Sequence, residues 1–200
     1  MKTLSSALIF PHSQEAGAPV QGINYHRIRQ VAAASTAVSA SQLEALIEAH
    51  HHFLRGGGAG GHWQTLLLNG LVTAVYQKEG VDLEEQFALE YRRLTPGLGL
   101  SERVLPFSNC CAASLPRLSA VGSTLSHSLF TDADLLEANF ECALLQGVDF
   151  SRANLRSARF VDADLSGADF ENCDLRGADF RGARLRGTRF PGALLDEVRI

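Results

Sequence analysis

The sequence predicts a mainly β protein: a repeating solenoid in its second half, preceded by a small α+β capping region. Three observations lead there. Large apolar residues recur at every fifth position from Leu125 to Leu195. A small residue stands two places before each of them. Residues 1–103 show neither pattern, but carry one helix signature and one hairpin signature.

The first half reads in order as follows. Met1 to Phe10 holds one Lys and a short apolar stretch diluted by two serines and ended by Pro11 and His12. Ala16-Gly17-Ala18 imitates a signal-peptidase site, but the apolar stretch is too interrupted for a leader, so an N-terminal strand or extended arm is expected. Ser41-Gln42-Leu43-Glu44 has the spacing of a capping box and predicts a helix over about 43–54. Leu43, Leu46, Ile47, His50 and Leu54 would share one face, and the glycine run from Gly56 to Gly61 stops the helix. Trp63–Leu68, Asn69-Gly70 and Leu71–Tyr76 predict a β-hairpin over about 63–76, because Asn-Gly favours a two-residue turn. Val81, Leu83, Phe87, Leu89 and Tyr91 alternate, but Leu83, Phe87 and Tyr91 also sit at helical spacing; of the two readings, a strand from Gln86 to Arg92 is favoured. Thr95-Pro96-Gly97 makes a turn. Residues 1–103 therefore read as the cap and 104–200 as the repeat domain, with clean repeats over 123–198.

The repeat itself is Leu125, Phe130, Leu135, Phe140, Leu145, Phe150, Leu155, Phe160, Leu165, Phe170, Leu175, Phe180, Leu185, Phe190, Leu195: 15 positions in strict alternation. Ten of the 15 residues two places earlier are Ala, and none is larger than Val. An α-helix of 3.6 residues per turn forms no stripe from a period of five, and a flat strand requires unbroken alternation. Small-x-large is one short extended step with both side chains inward, followed by a bend. Gly147, Gly167, Gly177, Gly182, Gly187 and Gly192 fall at that bend, where a Cβ costs conformational energy.

Ala163-Asp164-Leu165-Ser166-Gly167, Ala153-Asn154-Leu155-Arg156-Ser157 and Ala178-Asp179-Phe180-Arg181-Gly182 resemble the A-[D/N]-[L/F]-x-x unit of the pentapeptide-repeat family. The resemblance implies a right-handed quadrilateral β-helix of four to five coils. Residues 20 apart would then stack, with Phe130, Phe150, Phe170 and Phe190 in one column, Phe140, Phe160 and Phe180 in the opposite one, and Leu columns between. An open solenoid end exposes strand edges, so the first half would cap one end. Leu195 and Ile200 stay in register at the other, and the resemblance supports a homodimer through that C-terminal coil.

Composition narrows the function. The chain has 200 residues, 20% charged, and a net charge of −4. That balance makes nucleic acid an unlikely partner. No apolar run reaches the roughly 18 residues of a membrane helix, so a cytoplasmic protein is expected. The charge is polarised. Ser123 to Asp174 holds ten acids and three arginines, whereas Leu175 to Ile200 holds three acids and six arginines. Arg176, Arg181, Arg184, Arg186, Arg189, Asp162, Asp164 and Asp169 are therefore the candidate interaction surface. Stacking also predicts the ladder pairs Asp164–Arg184, Asp169–Arg189 and Arg159–Asp179.

Candidate chemistry is sparse. His50-His51-His52 with His62 suggests a metal, but consecutive histidines point three ways, so a solvated helix end with one semi-buried His is expected. Gly56–Gly61 lacks the Lys-Ser/Thr of a phosphate loop and reads as a flexible connector. Cys173 replaces an inward Ala, Cys142 faces out, and Cys110-Cys111 sit beside the first repeats. No catalytic residues, cofactor or metal are assigned. The expected function is a non-catalytic scaffold or regulator that binds a protein partner through its faces. One alternative, implied by the resemblance, is a DNA mimic that protects a type II topoisomerase. A weaker alternative is metal or ligand binding in the first half.

Overall fold

The computed structural model describes residues 8–10, 37–68, 71–78 and 86–200. Residues 86–200 form a right-handed quadrilateral β-helix. Parallel bridges join positions 20 apart, from Val104–Thr124 to Asp179–Arg199. Each pentapeptide makes three bonds between coils. Around Phe160 these are Phe160 N–H to Asp179 O (2.7 Å), Asp162 N–H to Arg181 O (3.0 Å) and Arg159 N–H to Ala138 O (2.9 Å). A fourth bond, Ala163 N–H to Phe160 O at 3.1 Å, closes the corner. That corner needs a left-handed residue two after each large one. Gly167 (φ 72°) and Gly187 (φ 72°) supply it without strain, while Glu137, Arg152 and Asp162 occupy it at φ 57–61°.

The inward columns are the predicted ones. Phe130, Phe150, Phe170 and Phe190 stack at 5.0–5.3 Å between ring centroids. Phe140, Phe160 and Phe180 form the opposite stack at 4.9–5.3 Å. The two stacks meet edge-to-face, as at Phe150–Phe160 (5.8 Å, 74°). Leu135 to Leu175 and the inward alanines from Ala133 to Ala178 fill the remaining space, all buried. Each large side chain removed from water contributes about 1.5–3 kcal/mol. On the last coil Leu185 and Phe190 are half-buried, and Leu195 and Ile200 are 48% and 87% exposed.

The solenoid starts upstream of the predicted boundary at residue 104. Ala88 already bridges Asn109, and Arg93 bridges Ser114. Phe87 and Leu89 are buried inward residues of this first coil, rather than part of a regular strand from Gln86 to Arg92. The sequence hides the register for two reasons. Cys110 and Ala120 take large inward positions. The first coil also has one extra residue, since its bridges span 21 positions instead of 20. The insertion lies around Thr95-Pro96-Gly97, where Thr95 N–H and Oγ1 both donate to Val38 O.

The first half closes the N-terminal end of the stack. Strand β1 (Leu8–Phe10) pairs antiparallel with β3 (His62–Leu68), which pairs antiparallel with β4 (Leu71–Gln77). The Asn69-Gly70 turn lies outside the described residues, as do residues 79–85 of the alternating segment. Strand β2 (Ala37–Val38) lies parallel to β5 (Arg93–Leu94) and adds one rung before the first coil. Helix α1 (Ala40–Arg55) then crosses the open end. Its capping box is Ser39 with Gln42, two residues earlier than Ser41 with Glu44. Starting there lets Val38 finish its rung and turns Leu43, Ile47, His50 and Phe53 inward. Leu46 and Leu54, predicted on the buried face, are only half-buried. Val38, Leu43 and Ile47 join one apolar core with Phe87, Leu89 and Leu100. Among the described residues no helix is long and apolar enough to cross a membrane.

Candidate interaction surface

The solenoid interior is filled by its own side chains, so its chemistry is on the outside. The Asp or Asn before each large residue has a local task. Its Oδ1 accepts the N–H two residues on, at distances from 2.8 Å (Asp149 to Ser151) to 3.4 Å (Asp134 to Leu136). Asn139, Asp164, Asp169, Asp174 and Asp179 do the same. A short side-chain acceptor here stabilises the bend that follows. This explains the [D/N] column, which sequence reasoning took only as surface charge. The signal was available: this column is restricted to Asp and Asn at many repeats, whereas exposed charge alone would admit Glu.

The candidate residues divide among the sides of the helix. Asp164, Arg184 and Arg186 share the Leu165 side, and Asp169 and Arg189 the Phe170 side. Arg176 is on the Leu175 side, Arg181 on the Phe180 side, and Asp162 at a corner. Arg184–Asp164 (4.0 Å) and Arg189–Asp169 (3.4 Å) are the predicted ladder pairs. The third prediction fails. Arg159 pairs with Glu141 at 3.1 Å, because Asp179 is held by two nitrogens of Arg181, the nearer contact being 2.7 Å. Arg176 grips Asp174 the same way. A neighbour two residues away needs less ordering than one a coil away, so the local fork wins. Arg181 thereby pulls Asp179 down to about 2, and Arg176 lowers Asp174. Asp164 is lowered first by the Ser166 hydroxyl and also by Gln146. Among the described residues Arg186 and Asp162 have no ion-pair partner.

Sequence reasoning missed a more buried pair, although its 20-residue spacing is that of the ladder pairs: Asp132 is 3% exposed and accepts from Nε and Nη2 of Arg152 at 3.1 and 3.0 Å. Its two residues lie one coil apart in a column of left-handed corners.

The three consecutive histidines diverge. His52 is exposed and His51 half-buried, but His50 is fully buried rather than semi-buried. His50 Nε2 donates to Pro106 O (2.9 Å), and Nδ1 accepts from Phe87 N–H (3.0 Å). Burial lowers its pKa to about 4. His62 begins β3; among the described residues no group of three His, Cys, Asp or Glu is placed to hold a metal. The glycine run, read as a flexible connector, is packed at two points, Gly58 and Gly61, and exposed at Gly56, Gly57 and Gly60. Gly58 is buried, a Cβ on it would overlap the Phe53 ring, and its carbonyl accepts from Tyr76 Oη at 2.9 Å. Cys110, Cys111 and Cys173 are buried and Cys142 is exposed. Burial raises these three buried thiols, Cys173 to about 12. They are protonated apolar fillers at neutral pH.

Comparison with known proteins bears on the repeat half. The family described as Pentapeptide repeats matches in 8 copies, over residues 121–156, 133–172 and 153–196. A pentapeptide repeat protein from the Arabidopsis thaliana thylakoid lumen is 32% identical, covering 45% of this chain and 66% of that one, with a TM-score of 0.37. HetL, a pentapeptide repeat protein involved in heterocyst differentiation regulation from the cyanobacterium Nostoc sp. strain PCC 7120, is 26% identical. It covers 57% of this chain and 55% of that one, with a TM-score of 0.34. QnrB1, a plasmid-mediated fluoroquinolone resistance protein, is 31% identical over 42% of this chain and 48% of that one, with a TM-score of 0.26. The chain thus spans about half to two thirds of the length of these structures. No curated protein matches it. The period of five, the stacked Phe columns and the family match agree: residues 121–196 of this chain belong to the pentapeptide-repeat family.

Proposed function

We propose that this protein is a non-catalytic scaffold or regulator that binds a protein partner through the outer faces of its solenoid. One observation carries the reading: the interior is closed by stacked Phe, Leu and Ala, so recognition falls to the rigid outward side chains. The basic tip is the favoured patch. Arg184 is 79% exposed and only 4.0 Å from Asp164, and Arg186 beside it has no ion-pair partner among the described residues. Such cations keep most of their charge for an acidic partner surface.

The test is affinity capture from native lysate with the wild-type chain and with Arg184→Glu/Arg186→Glu/Arg189→Glu. A protein retained by the first and lost by the second supports the reading. Identical captured sets for the two chains overturn the basic tip as the binding surface.

The second reading, a DNA mimic acting on a type II topoisomerase, rests on the acidic stretch from Ser123 to Asp174. Against it, Asp132, Glu137, Glu141, Asp164, Asp169 and Asp174 are paired with arginines. A gyrase supercoiling assay with a quinolone decides it; protection at micromolar protein would favour this reading over the first.

A further inference from the structure

We propose that His50 is an acid-sensitive latch that holds the N-terminal cap on the solenoid and releases it when the ring takes up a proton. The geometry is specific to one form of the ring. Pro106 O can only accept and Phe87 N–H can only donate, so the ring must carry its proton on Nε2 and keep Nδ1 bare. Both partners belong to the first coil, whereas the ring belongs to α1. Thus one side chain of the cap bonds two backbone groups at the end of the stack. A second proton would turn Nδ1 into a donor facing another donor, with no solvent to take up the mismatch in a site that is 0% exposed.

The surroundings offer the charged ring nothing. On α1 the ring stacks on Phe53 at 5.2 Å, and its neighbour His51 is another base that opposes a second positive charge. On the first coil it meets the edge of Phe87 at 6.4 Å. From the hairpin, Tyr76 reaches the same cluster through Phe53, and burial raises its phenol, so it stays neutral. Glu44 on α1 is committed to Arg103 of the coil at 2.6 Å and lies on the exposed side of the helix. Among the described residues no carboxylate bonds the ring.

The sign follows from these contacts. The closed cap binds fewer protons than the open one, so closure is favoured at high pH. It is complete above about 6.5, the ordinary histidine value. It weakens about tenfold per unit as pH falls from there to about 4, the lowered value in the closed state. Opening would uncover Phe87, Leu89 and Leu100 and the edge that β2 covers, a template for strand addition.

Trp63 reports on the joint. It is the chain's one tryptophan. Its Nε1–H donates to His127 O of the solenoid at 2.9 Å, and its ring meets Tyr76, which meets Phe53 of α1. The experiment titrates the full chain from pH 7.5 to 4. It follows Trp63 emission, far-ultraviolet circular dichroism and the His50 ring resonances by NMR. The expected result is an Nε2–H ring at pH 7.5, then protonation of His50 together with a Trp63 shift while the solenoid signal persists. His50→Gln supplies one donor and one acceptor without titrating, and its Trp63 shift should be absent above pH 4. The proposal is overturned if His50→Gln shifts at the wild-type midpoint, or if the wild-type ring carries its proton on Nδ1. Should His50→Gln open the cap already at pH 7.5, the wild-type ring decides: titration near 6.5 with Trp63 unmoved overturns the latch, and joint movement supports it.

Discussion

Replacing Phe160 by Ala tests how the solenoid is held together. Phe160 is fully buried and touches four rings. Phe140 and Phe180 stack on it at 5.3 and 4.9 Å, and Phe150 and Phe170 meet it edge-on at 5.8 and 5.7 Å. Deleting a buried Phe side chain costs about 3–5 kcal/mol. The upper end applies, because every neighbouring ring is fixed in its own stack and cannot collapse into the void. Phe190 is the internal control. It is half-buried and, among the described residues, meets two rings, Phe170 and Phe180, instead of four, so its replacement by Ala should cost about half as much, roughly 2 kcal/mol. Urea denaturation followed by circular dichroism measures both. Native-state hydrogen exchange locates the damage, which should appear first at the amides of Phe160 and Asp162, bonded to the next coil. Equal losses for the two variants, or a Phe160→Ala loss within about 1 kcal/mol of the exposed Arg156→Ala, would refute a core made of interlocked stacks.

Four further outcomes follow from the corners and the aspartates beside them. Gly182→Ala should destabilise by about 1–3 kcal/mol, since φ is +72° there and the new Cβ would overlap the Asp162 carboxylate; adding Asp162→Ala should recover part of the loss in the same denaturation assay. Asp149→Ala should cost about 1 kcal/mol through the lost bond to Ser151 N–H, and Asp149→Asn, which keeps the acceptor, should cost much less. Arg181→Ala should raise the Asp179 pKa from about 2 toward its ordinary value, read by carboxyl-carbon NMR. In the wild type a depressed carboxylate contributes stability above about pH 4 and loses it as pH falls toward 2, so acid should loosen the Arg-paired coils only after it has acted on His50. A single acid transition at one midpoint, seen by every probe, would contradict that order.

The part of the fold visible in the sequence was the part fixed by side-chain size. An unbroken Leu/Phe alternation with a small residue two places before sets a bend every five residues, and the pentapeptide-repeat resemblance, with four bends to a coil, implies the Phe columns. The start of the stack was hidden because Cys110 and Ala120 stand at large positions and the extra residue near Pro96 shifts the phase. The helix start was hidden because Ser39 and Ser41 both carry a Gln or Glu three residues on. The choice between them is made by the pairing of Val38 with Leu94, a contact 56 residues apart. At the surface, two of three ladder pairs were legible from the 20-residue stacking. The third, Arg159–Asp179, does not form, because Arg181 competes for Asp179 and that competition depends on side-chain reach. His50 stood apart from His51 and His52 only by its place on the apolar helix face; its two backbone partners come from the chain folding back through Phe87 and Pro106.

The two Phe stacks also determine how such a chain can change length over generations. From Leu125 onward its sides alternate Leu, Phe, Leu, Phe around the coil. A duplication of five residues would advance every later column by one side and set Phe rings over Leu side chains. A duplication of ten advances them by two sides and again sets Phe on Phe. The heritable unit of growth in this solenoid is therefore the decapeptide, although the repeat that meets the eye is half as long. Single-residue insertions can survive only where no ring stack has begun, which is where the 21-residue first coil carries its one.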